Sequence, residues 1–127
     1  MATIRIPSMI LRVSWLLAFV MGIVFWTGNL DTTGAHTIHE VFGILVAVSL
    51  LWLAGENVRQ HGNIVLTVLG FVDAIALYLI GVDQANMLTG NGHWLIQVVH
   101  VLLAVGAIGL GEVIAARLMR AQAHAVN

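Results

Sequence analysis

The sequence contains no cysteine. That excludes disulfides, thiolate metal sites, iron–sulfur clusters held by cysteine and covalent c-type haem attachment. It contains no lysine either. Its whole basic charge is five arginines against six acidic residues, a net charge of −1, so no nucleic-acid partner is expected. Only 9% of the residues are charged, where soluble domains carry about a quarter. No polar run is long enough to build a separate soluble domain. The single proline, Pro7, precedes the first hydrophobic run, where a helix tolerates it.

What is present is apolar. Hydrophobic residues make up 60% of the chain, and the mean hydropathy is +0.98. Four segments, about 8–29, 36–54, 63–82 and 92–119, approach or exceed the roughly 20 residues that cross a bilayer as a helix. The first is longer than the roughly 7–15-residue apolar core of a signal peptide and lacks an A-x-A-like cleavage site, so it reads as a retained helix. The connections are short and rich in Asp, Asn, Gly and Thr. Short loops make sequential helices antiparallel neighbours. The expected fold is therefore an all-α membrane protein, an up-down bundle of four transmembrane helices forming one domain over residues 1–127.

Charge sets the expected orientation. Arg5, Arg12, Arg59, Arg117 and Arg120 all fall on one side of such a bundle, and the other side carries Asp31 and Asp83 with no arginine. The positive-inside rule places both termini in the cytoplasm. Trp26 and Trp94 then lie near the outer interface and Trp52 near the inner one. The default location is the inner (plasma) membrane of a bacterium.

The last segment carries an unusual stripe. His93, Gln97, His100, Ala104, Ala107 and Gly111 recur at spacings of three, four or seven and share one helical face. Imidazoles and a carboxamide facing lipid would lack partners, so the stripe should turn inward. In segment two, His36 and His39 recur at i, i+3, followed by Glu40. All four histidines fall in the outer leaflet. His36 and His39 differ in height by about 4.5 Å, His93 and His100 by about 10.5 Å, so the two pairs are not both level in straight helices that start together. Asp73, about nine residues before the outer end of segment three, is expected at the depth of His100 and paired with it.

Histidines on facing membrane helices suit haem b, whose iron takes an imidazole from each face. Gly43, four residues after His39, would let a flat ring approach the backbone. Gln97 suits a hydrogen bonder beside the ligands. A Cu, Zn or Fe ion completed by Asp73 or Glu40 is the other possibility. A third is that these residues only bond helix to helix, as in an accessory or assembly subunit of a larger membrane complex or a homo-oligomer. Glu112 and Glu56 are expected to meet arginines, the Ala107, Gly111 and Ala115 series to pack helices, and Tyr78 to pack or sit at an interface. His61 and His124 lie away from the cluster.

The runs from His39 to Gly43 and from His100 to Gly106 resemble the ligand helices of the four-helix transmembrane cytochrome b architecture. That group includes cytochrome b561-like proteins and the four-helix halves of haem A synthases. The resemblance implies axial ligation by one histidine of segment two and one of segment four, with His39 and His100 first and His36 and His93 second. It also implies electron transfer between quinol in the bilayer and an acceptor at the outer face, a quinol-linked oxidoreductase activity, with Asp73 tuning a ligand or relaying a proton. Di-haem members carry histidine pairs near both membrane faces. This chain has none in its inner half, so one site is expected.

Overall fold

The computed structural model describes residues 2–28 and 32–124. They form four α-helices: α1 (Ala2–Trp26), α2 (Thr33–Arg59), α3 (Ile64–Asp83) and α4 (His93–His124). A short 3-10 turn, Gln84–Asn86, precedes α4, and no strand occurs among the described residues. All four helices are long and apolar enough to cross a membrane. Asp31 lies outside the described residues.

The helices match the four expected segments, with displaced ends. α1 begins at Ala2, so Pro7 lies inside it rather than before it. A proline at this position has no N–H to give the carbonyl four residues back, that of Thr3. The Trp52 indole Nε1–H of α2 donates to that carbonyl instead, at 3.0 Å. α2 starts where Thr32 caps it, its side chain accepting the Ala35 N–H at 3.2 Å. It runs past the apolar segment to Arg59, because Glu56, Asn57 and Arg59 are polar without being helix breakers.

The turn into α3 is built from side chains. His61 adopts a positive φ of 50°, and the N–H groups of His61 and Gly62 bond back to Val58 and Asn57, closing the helix. A Cβ at Gly62 would collide with Asn57 Oδ1. Asn57 Nδ2 donates to the Asn63 carbonyl at 2.9 Å and to Thr67 Oγ1 at 2.8 Å. Asn63 in turn caps α3 by accepting the Leu66 N–H. His61 is thus a helix-terminating residue.

α1 and α3 each pack on both α2 and α4, and α2 also touches α4. The fully buried side chains Ile4, Leu11, Leu50, Leu53 and Ile114 form one cluster. It lies toward the end of the bundle that carries Arg5, Arg59 and Arg120, here called the arginine end. Glycines let helices close up there. A Cβ at Gly111 would run into Leu11, and one at Gly70 would stand 3.2 Å from the Ala54 Cβ. Lipid is as apolar as leucine, so such close packing and interhelical hydrogen bonds carry helix association in a bilayer. Arg12 supplies a second kind of link, gripping Glu112 through Nε (2.5 Å) and Nη2 (2.7 Å). Trp15 Nε1 donates to the Ala104 carbonyl at 2.6 Å. Arg59 lies 3.7 Å from Glu56 on its own helix. The outward surface is apolar, with Leu16, Val48, Val68, Val72 and Leu102 all exposed, as a lipid-facing surface requires.

Candidate functional site

At the opposite end, His39 of α2 and His100 of α4 face each other across the bundle. Their ring centroids are 6.3 Å apart with an interplanar angle of 56°. The Nδ1 atom of each is buried and has no hydrogen-bond partner. His39 lies six residues into α2 and His100 seven into α4. Both therefore sit about 9 to 10.5 Å below their own helix starts, at similar depths in their helices. The unequal spacings within the two helices separate His36 and His93 instead.

Each ring rests on a glycine of the preceding helix. A Cβ at Gly22 of α1 would stand 3.4 Å from His39 Cε1, and one at Gly81 of α3 would stand 3.2 Å from His100 Cε1. The arrangement repeats: α1 seats the histidine of α2, and α3 seats the histidine of α4. Phe25 closes one side of His39, edge-on at 5.4 Å. The backbone carbonyl of Ala18 lies beside the same ring.

The other candidates stand apart from this pair. His36 is exposed and stacks on Phe25 at 4.4 Å. His93 approaches the Met87 carbonyl of its own loop at 3.2 Å through Nδ1. Gln97 is half-buried, one turn before His100. Nothing lies within 4 Å of where a Gly43 Cβ would be, so the space one turn below His39 is open. The glycines that make close approaches at this end are Gly22 and Gly81. Nothing in the sequence marked them, since a glycine in an apolar helix has many uses.

Asp73 departs from expectation. Its carboxylate faces Gly106, where a Cβ would stand 2.9 Å from Oδ1, and Oδ2 is buried without a partner. Gly81, which seats His100, is eight residues further along α3, and Gly106 is six residues beyond His100. Asp73 is therefore about 9–12 Å nearer the arginine end than His100, and the two are not paired. The cause is the stagger of the helices. Only two residues of α3 follow Gly81, whereas seven of α4 precede His100, so α4 stands above the end of α3. For the same reason Asp73 does not join the histidines as a metal ligand. Glu40 is exposed, and among the described residues no group of three His, Asp or Glu could hold a metal ion.

The site offers two imidazoles and little else that is polar. Two imidazoles sharing one metal from opposite sides, at metal–nitrogen distances of about 2 Å, place their centroids about 6 Å apart. The observed 6.3 Å fits that spacing, and the ring planes are free to rotate about such an axis. A ligating imidazole commonly donates its other N–H to a carbonyl, and Ala18 stands where His39 can do so. Two surface concavities lie away from the histidines. The larger, about 370 Å³, is an apolar groove between α2 and α3 from Ile44 to Tyr78. No protein-family model, no curated protein and no solved structure matches the chain.

Proposed function

We propose that the chain is a haem b protein of a bacterial inner membrane. In this reading it is an up-down bundle with both termini in the cytoplasm and a single site in the outer half of the bilayer. His39 and His100 would hold the haem, and the protein would pass electrons between quinol and an acceptor at the outer face. The observation that carries the proposal is the close pair of imidazoles, 6.3 Å between centroids, with buried, unpartnered Nδ1 atoms. Burying a polar nitrogen without a partner is costly, and a bound group would remove that cost.

The donor set favours haem over a bare ion. A protein zinc site takes about three or four protein ligands, whereas haem needs two and brings its own equatorial nitrogens. The open space at Gly43 lies on the same helical face as His39 and would leave room for a flat group. A haem bound there supplies a one-electron couple. The chain's own residues orient the ligands: Gly22 and Gly81 fix how close each ring sits to its neighbouring helix, and Phe25 limits rotation of His39.

The test is the visible spectrum of the purified full-length protein. A Soret band and split α/β bands are expected. They should be lost or converted in His39→Ala and in His100→Ala, and retained in His36→Ala, His93→Ala and His61→Ala. A colourless protein, or bands unaltered in both of the first two variants, overturns the reading. A second reading, an accessory subunit, draws on Arg12–Glu112 and Asn57–Thr67, polar pairs that bond helix to helix. A colourless protein that co-purifies with a larger complex would favour it.

A further inference from the structure

Asp73 stands apart from the pair of histidines, opposite Gly106. Nine residues of α3 precede it and ten follow, so it stands at the middle of the helix. Its carboxylate enters the α3–α4 contact at the one point where α4 offers Gly106 in place of a side chain. Oδ2 is buried there and accepts no hydrogen bond.

The surrounding charges leave it alone. From α4, His100 lies about 10 Å toward one end. In the other direction, Glu112 is six residues beyond Gly106 and is held by Arg12 of α1. From α2, His39 faces His100, Glu56 lies by Arg59, and Glu40 and His36 are exposed. Arg5, Arg117 and Arg120 lie toward the helix ends. Among the described residues no cation reaches Asp73. An isolated carboxylate in hydrocarbon is far costlier than its neutral acid. The acid form also carries an O–H, which can turn toward a neighbouring backbone carbonyl.

We propose that Asp73 is a proton-binding site at the middle of the bilayer, holding an exchangeable proton on its carboxyl in the resting protein. The ligand is the proton itself. Gly106 is the residue that makes room for it. This site stands whether or not a haem binds near the histidines, so failure of the haem reading leaves it intact.

Infrared spectroscopy of the full chain in phospholipid vesicles reads the proton directly. A protonated carboxyl gives a C=O stretch well above that of a carboxylate, and the band shifts on transfer to D2O. The wild-type protein should show such a band at neutral pH and lose it as pH rises. The band should vanish in Asp73→Asn and survive in Glu112→Gln and Glu56→Gln. Gly106→Ala should displace it, because the added Cβ would meet Oδ1. Carboxyl-13C labelling of aspartate assigns the band without any substitution, since Asp31 precedes α2 in the sequence and Asp83, the last residue of α3, is exposed and accepts a hydrogen bond from Asn86 Nδ2. A spectrum in which neither Asp73→Asn nor aspartate labelling alters the protonated-carboxyl region at neutral pH overturns the proposal.

Discussion

Trp52 of α2 donates to the Thr3 carbonyl of α1 the hydrogen bond that Pro7 cannot supply. The proline and the tryptophan are thus coupled, although they lie on different helices. Trp52→Phe should lower stability in detergent by about 1 kcal/mol, the usual net value of one such bond. In a Pro7→Ala background the cost should shrink, because the new N–H of residue 7 serves the same carbonyl. Denaturant titrations of the four proteins measure this. Equal costs of Trp52→Phe in both backgrounds would show that the bond does not compensate for the proline.

The glycine seats differ in tightness. A Cβ at Gly81 would stand 3.2 Å from His100 Cε1, and one at Gly22 would stand at ordinary contact distance from His39 Cε1, 3.4 Å. Gly81→Ala should therefore displace its histidine more than Gly22→Ala. On the haem reading, the α band and the midpoint potential should move in Gly81→Ala and move less in Gly22→Ala. The reverse order would count against the seating described here.

Arg12 and Glu112 clamp α1 to α4 with two charge-assisted hydrogen bonds. Their side chains are 54% and 41% exposed, so the coupling should be discounted to about 1 kcal/mol. Arg12→Gln and Glu112→Gln should each destabilise, and the double variant should cost less than the sum of the two. Strict additivity in thermal unfolding would mean that the pair contributes no coupling.

Orientation is open to a reporter test. In the proposed up-down bundle the five arginines all fall on one side. A fusion placed after Asp83 should report the outer side, and one at the C-terminus should report the cytoplasm. Both fusions reporting the same side would remove the proposed topology.

Four helices and the inward stripe of α4 were legible in the sequence, because lipid imposes length and composition on every spanning segment. The approach of His39 to His100 was also within reach, since only these two histidines lie deep in their helices. The stagger was not. Helix ends are set by caps and turns such as Thr32 and the link from Asp83 to His93, and a count from expected ends put Asp73 level with His100. Pro7 was misplaced for a related reason: the bond that lets α1 run through it comes from Trp52, 45 positions away in the chain. The seats at Gly22 and Gly81 carry no local signal, because what distinguishes them is the ring that lands on them.

The two seats have a counterpart below. Eight residues before Gly81 stands Asp73, and eight before Gly22 stands Ser14, which is also buried. Two identical hairpins, associating as separate chains, would be enough to bring two seated imidazoles face to face. They would also place either two carboxylates or two hydroxyls beneath them. In a single polypeptide the two hairpins differ, with an acid on one side and a neutral hydroxyl on the other. The consequence is handedness at the centre: two like imidazoles above, and below them an acid on one side and a hydroxyl on the other.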